Sequence, residues 1–159
     1  MTPLGPALHP ELSALEFLVG NWIGTGAGTY PGSQPFDFEE ELTFSHEGKP
    51  VLAYQMRTSR MGGDTPSHAE RGFWKCRDSL NIDTVVSHAT GHVEVSEGSV
   101  VATTVILQST AVVGWRGSKE VLAISRRLSF DDDVLNDALA MQAVGQELQA
   151  HVSAELRRR

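Results

Sequence analysis

Six histidines and a single cysteine are the side chains of this 159-residue chain best suited to chemistry. His151 lies in Glu147-Leu148-Gln149-Ala150-His151-Val152-Ser153-Ala154-Glu155-Leu156. Read as a helix, this stretch places Leu148, Val152 and Leu156 at i, i+4 and i+8, and His151 borders that apolar stripe. A histidine there is ordinarily a boundary residue. Its chemical reading is an axial ligand to a haem iron, for which one neutral imidazole suffices. His68 opens a strand in Pro66-Ser67-His68-Ala69-Glu70-Arg71-Gly72-Phe73. It reads either as a rim histidine or as the polar wall of a ligand pocket. His88 and His92 flank Ala89-Thr90-Gly91 and would meet across a hairpin. A structural zinc site needs four ligands, and the spacing offers no obvious third or fourth. His9 and His46 complete the set. Cys76 has Lys75 and Arg77 beside it, but strand neighbours point to opposite faces, so it reads as a buried or edge thiol.

Other chemistries lack their motifs. There is no Gly-x-Ser-x-Gly elbow, since Ser118 sits in Gly117-Ser118-Lys119. No phosphate-binding glycine loop is followed by Lys-Ser or Lys-Thr. Asp131-Asp132-Asp133 lacks the calcium-loop spacing and reads as a hairpin tip. A net charge of −7 argues against nucleic acid as a partner, because no basic stripe exists to neutralise phosphates. The basic run Arg157-Arg158-Arg159 reads as a solvated tail. One cysteine excludes an intrachain disulfide and fits a reducing compartment. No apolar run reaches the ~18 residues of a membrane span, and Met1 to Pro10 lacks the pattern of a secretory signal, so a cytoplasmic location is expected.

The elements that must hold these residues are mostly strands. Residues 1–9 form an expected loose arm, and residues 10–159 a single domain. Pro10-Glu11-Leu12-Ser13-Ala14-Leu15-Glu16-Phe17-Leu18 reads as a short helix, with proline at its start and Gly20 as a stop. Its expected task is to plug the end of whatever the strands form. Gly20-Asn21-Trp22-Ile23-Gly24-Thr25-Gly26-Ala27-Gly28-Thr29-Tyr30-Pro31 then puts four glycines, Trp22 and Tyr30 on one strand face. Such glycines mark a bend, a bulge or the close approach of something bulky, either a neighbouring layer or a flat ligand. Phe36 to Phe44 alternates, with Asp37, Glu39, Glu41 and Thr43 outward. Val51 to Met56, apolar on both faces, reads as an interior strand. Further strands are expected at His68–Cys76, Ile82–His88, Val93–Val95, Val100–Leu107, Lys119–Phe130 and Val134–Val144, with a breaker at Met61-Gly62-Gly63-Asp64-Thr65-Pro66. Nine or ten short strands at hairpin spacing argue for an all-β, antiparallel up-and-down barrel with short N- and C-terminal helical segments.

Several stretches, taken together, resemble the nitrobindin family. They are the Gly20-x-Trp22-x-Gly24-x-Gly26 signature extended to Tyr30-Pro31, Phe44-Ser45-His46-Glu47-Gly48-Lys49-Pro50, and the stretch around His68. Ala89-Thr90-Gly91-His92-Val93-Glu94-Val95, Ser118-Lys119-Glu120-Val121 and Met141 to His151 complete the set. They run colinearly over about nine tenths of the chain. The resemblance implies a ten-stranded antiparallel barrel, outwardly like lipocalins and fatty-acid-binding proteins. It implies ferric haem b, one per chain, in the barrel mouth, with nitric oxide binding and isomerisation of peroxynitrite to nitrate. The proximal histidine falls on His151, which becomes both the iron ligand and the catalytic residue. A basic residue near the haem falls on Lys119, the distal-side histidine on His68, and the signature residues Trp22, Gly24 and Gly26 join the expected cofactor site.

Two departures stand out. Relatives often carry threonine after Tyr-Pro, where this chain has Gly32, so a hydroxyl at the haem edge is not expected there. They often carry methionine before the rim histidine, where Ser67 makes the distal wall more polar. Two other functions fit the same residues: a non-enzymatic carrier of one small hydrophobic ligand, and a haem-based nitric oxide sensor or scavenger. No membrane partner is expected, and either a monomer or a homodimer is compatible with the chain.

Overall fold

The computed structural model of the chain describes residues 5–62 and 65–159. Residues 1–4 of the expected arm and Gly63-Asp64 of the expected breaker lie outside them. After a 3-10 helix at Pro10–Leu18 come ten strands: β1 Gly20–Gly28, β2 Phe36–Ser45, β3 Leu52–Arg60, β4 Pro66–Cys76, β5 Asn81–His88, β6 His92–Val101, β7 Thr104–Gly114, β8 Val121–Asp131, β9 Val134–Ala143 and β10 Gln149–Arg158. Each strand pairs antiparallel with its sequence neighbours, and β1 pairs with β10, which closes the barrel. Closure pairs the two end strands, the general solution to exposed backbone groups in an all-β chain, although β7 and β8 pair only from Thr104↔Ser129 to Gln108↔Ser125.

The C-terminal segment is therefore a strand, not a helix. Val152, Ala154 and Leu156 turn inward and Ser153 and Glu155 outward, a period of two. Positions i and i+4 satisfy both a helical and a strand period, so Val152 and Leu156 could not decide; Ala154 does. Pairing with β1 from Trp22↔Arg158 to Gly28↔Val152 supplies the hydrogen bonds that a lone helix at this site would have had to find internally. Arg158 is accordingly no solvated tail. Its guanidinium lies 4.2 Å from the Trp22 ring centroid and donates to the carbonyls of Phe17 and Val19.

Two further strand readings change. Val51 to Met56 is ordinary barrel wall, with Leu52, Tyr54 and Met56 inward and Gln55 and Arg57 outward. The break expected between Val95 and Val100 is absent, since β6 runs through it; the chain turns instead at Ala102-Thr103, inside the expected strand Val100–Leu107, where Ala102 takes φ 51°. That tight turn carries neither glycine nor proline, which is why the sequence hid it. The hairpin tip at Asp132-Asp133, with φ of 47° and 64°, is as read.

Inside, the barrel has three storeys, visible along β9 as Leu135, Asp137 and Leu139. The 3-10 helix closes the lower end with Leu12, Leu15 and Leu18, spaced by the three residues of its own turn. Above them pack Trp22, Leu42, Phe44, Leu52, Trp74, Ile82, Leu128, Leu135 and Leu156. Phe44, Tyr54 and Trp74 form an aromatic triangle with centroids 5.0–5.5 Å apart. The middle storey is charged: Glu40, Glu70, Glu94, Arg126 and Asp137 are all buried. The upper storey is an open cavity. Trp22 belongs to the floor, with its indole N–H donating to Leu18 O at 2.9 Å and its ring edge-on to Phe130. Trp22→Ala should cost about 3 kcal/mol, the low end for such deletions because the helix can settle into the space. An unchanged urea midpoint would contradict this placement.

Candidate functional site

The upper cavity encloses about 700 Å3, within the range of sites that hold one flat organic cofactor. His151 stands at its lip. The β10 register shifts between Ala150 and Val152, so His151 is the extra residue of a bulge and its ring is turned out of the regular alternation. Its backbone carbonyl accepts from Thr29 N at 2.8 Å, and its Nδ1–H donates to Thr29 O at 2.6 Å. That pairing fixes the ring and its tautomer, leaving the Nε2 lone pair for a metal. Tyr30 and Phe36 meet the ring edge-on, at 5.8 and 6.2 Å between centroids.

Lys119 lines the same cavity, with Nζ 4.8 Å from the Tyr30 centroid. Its strand-connecting segment is held by His92, whose Nε2–H donates to Lys119 O at 2.7 Å while Nδ1 accepts from the Thr90 hydroxyl at 2.8 Å. Both nitrogens of His92 are thus spent on positioning. His92 does not meet His88 as a metal pair. Gly91, at φ 89°, lies flat against the Trp115 indole at the cavity mouth, where a Cβ would strike the ring.

His68 lines the opposite wall, beside His88 and above the charged storey. His68 Nε2 and His88 Nδ1 each lie 3.3 Å from Glu70 Oε1. Arg126 lies 2.7 Å from Glu70 Oε2 and 3.2 Å from Asp137 Oδ2, and it donates to the Tyr54 hydroxyl at 2.9 Å. Tyr54 in turn donates to Glu70 Oε2 at 2.7 Å. Burial would raise Glu70, but Arg126 and the two histidines hold its carboxyl well below the usual range. Burial opposes charge on His88, yet Glu70 and Glu94 outweigh it and push the ring up to about 9. Burial first, then the charge of Asp137, pushes Glu40 well above the usual range.

Of the residues singled out in the sequence, His151, Lys119 and His68 come together around one cavity. Trp22, Gly24 and Gly26 do not line it. The glycines admit β10 and Phe38 instead: a Cβ on Gly24 would run into Glu155 O, and one on Gly26 into Ser153 O and the Phe38 ring. The bulky neighbour is the barrel itself. Gly32 sits at φ 80°, so threonine there would be strained; the lost hydroxyl goes with the shape of this turn. Ser67 lines the cavity and does make that wall polar. Sequence reasoning missed Glu70, Glu94, Arg126 and Asp137, each a charge at an inward position of an alternating strand.

A family model of the THAP4-like, heme-binding beta-barrel domain matches residues 11–158. The chain belongs to this family. The peroxynitrite isomerase 1 of Mycolicibacterium paratuberculosis is 43% identical to this member over 155 residues, covering 95% of this chain and 96% of that protein. The peroxynitrite isomerase of Nocardia farcinica is 37% identical over 156 residues, covering 96% and 93%. The crystal structure of Rv2717c from M. tuberculosis superposes on this heme-binding barrel with a TM-score of 0.89 at 36% identity, covering 96% of this chain and 99% of that one. The residues of the cavity suit the group that gives the family its description. One imidazole offers a free Nε2, aromatic walls from Tyr30, Phe36 and Phe38 suit a macrocycle, and Lys119 at the mouth suits a carboxylate. Lys119→Ala should weaken haem retention only modestly, by the ~0.2–1 kcal/mol of a partly exposed ion pair. Haem transfer to apomyoglobin measures this, and complete loss would give Lys119 a larger part.

Proposed function

We propose that this chain holds one haem b per chain through His151 Nε2, with the iron ferric, and isomerises peroxynitrite to nitrate. The observation that carries the reading is the His151 bulge, where the Nδ1–H bond to Thr29 O leaves Nε2 free at the lip of the cavity. The names of the similar proteins supply the substrate. In this isomerisation an O–O bond breaks and an N–O bond forms, with no net change in protons or electrons. When bound, ferric haem supplies a centre that accepts charge as the O–O bond breaks.

The protein's own contribution is placement. His151 fixes one face of the cofactor, and Tyr30 and Phe36 hold the His151 ring in place. Lys119 gives an incoming anion a cation at the mouth. The cavity wall would screen the substrate from solvent, as a reaction that exchanges nothing with solvent requires. Nitric oxide, small and uncharged, is proposed as a second ligand of the same cavity, and the cytoplasm as the compartment. Stopped-flow mixing of the haem-loaded protein with peroxynitrite tests the activity: decay should be faster than in buffer, with nitrate as the product. Decay no faster than in buffer would remove the enzymatic claim.

A further inference from the structure

Glu70 Oε1, His68 Nε2 and His88 Nδ1 form a nearly equilateral triangle, with sides of 3.3, 3.3 and 3.4 Å. Tetrahedral zinc with bonds of about 2.0–2.1 Å places its ligand atoms about 3.3–3.4 Å apart. The three donors already occupy one face of such a tetrahedron. They come from two adjacent strands: His68 and Glu70 are i and i+2 on β4, and His88 is the register partner of Glu70 on β5.

The surroundings orient two of the three donors, His88 and Glu70. His88 Nε2 lies 3.0 Å from Glu94 Oε2, the carboxylate–histidine pairing that holds metal-ligating imidazoles in register. Glu70 Oε2 is occupied by Arg126 and by the Tyr54 hydroxyl, which turns Oε1 towards the two rings. His68 and His88 both line the cavity, so the fourth position faces open space.

We infer that His68, Glu70 and His88 form a mononuclear binding site for a divalent transition ion of the zinc type, with its fourth position open to the cavity. Two imidazoles and one carboxylate are a donor set suited to zinc, and to iron(II) or cobalt(II) where geometry allows. The site is separate from the iron ligand His151 and does not rest on the haem reading.

The test uses the full chain, free of haem and stripped of metals by a chelator. Zinc chloride is titrated by calorimetry and cobalt chloride by visible absorbance. One ion per chain should bind, and cobalt should give the intense d–d bands of a tetrahedral site. His68→Ala, at a partly exposed position, should weaken binding by more than the roughly 10–100-fold that loss of an outer partner costs. Glu94→Gln should weaken it within that range. His46→Ala and His151→Ala should leave this ion in place, with folding of each variant checked by circular dichroism. Absence of zinc binding, or binding that ignores His68 and Glu94, would overturn the site and leave a trio that only shares protons. Haem binding by His68→Ala is read separately from its Soret band, so the two readings can fail independently.

Discussion

In His151→Ala the spectrum of histidine-ligated haem disappears while the far-ultraviolet circular dichroism of the barrel persists. The side chain sits in a bulge at the mouth of the barrel, above the packed floor, and its one hydrogen bond is to Thr29 O. Losing a single neutral hydrogen bond costs about 0.5–1.5 kcal/mol, too little to unfold a closed barrel. On the proposed reading axial ligation rests on that ring, since among the cavity histidines His68 and His88 face Glu70 and both nitrogens of His92 are engaged. Peroxynitrite decay in the variant should fall to the rate in buffer. His68→Ala, by contrast, should keep the iron ligated and change the rates of ligand entry and exit. Should the His68 variant lose axial ligation and the His151 variant keep it, the two faces are exchanged. Should neither variant affect the spectrum, the haem reading falls, and one small hydrophobic ligand in the same cavity takes its place.

The barrel was legible because alternation is local: Phe38, Glu40, Leu42 and Phe44 announce their inward face within one strand. The helix plug was legible for the same reason, from Leu12, Leu15 and Leu18. The last strand was misread because Leu148, Val152 and Leu156 fit a helix, and only pairing with β1 across more than a hundred residues makes the segment a strand. Leu148 itself is exposed in the preceding turn, so one of the three residues behind the helical reading buries little. His151 was singled out through family resemblance and a stripe of the wrong period, whereas its position depends on a bulge that no local pattern marks.

The charged storey was hidden differently. Glu70, Glu94, Arg126 and Asp137 each occupy an inward position of an alternating strand, and that oddity could be read locally. Their partnership could not, since Arg126 reaches Tyr54 and Glu70 from β8 while they lie on β3 and β4. The glycines of β1 carried a true signal with two causes. Close approach was right, but what approaches Gly24 and Gly26 is β10 and the Phe38 ring.

Arg126→Met should lower stability by about 4–5 kcal/mol near neutrality, the upper part of the range for breaking a buried ion pair. The guanidinium is buried and meets Glu70, Asp137 and the Tyr54 hydroxyl at once. Methionine fills most of its volume, so the loss comes from charge left without a partner and not from a void. A second substitution separates these causes: Arg126→Met with Glu70→Gln should recover part of the loss, because an amide in place of the carboxylate removes one orphaned charge. The pH dependence carries the same signature. In the parent chain Glu70 is held well below its ordinary value of 4.5, so its contribution is complete above that pH and is lost as pH falls through the depressed value. In Arg126→Met only the two histidines still hold Glu70 down, and it takes up a proton at higher pH than in the parent chain. The gap in urea midpoint between the parent chain and Arg126→Met should therefore narrow as pH is lowered from 7 towards about 4. A gap independent of pH, with no recovery in the double variant, would mean that Arg126 matters for its packing and not for its charge.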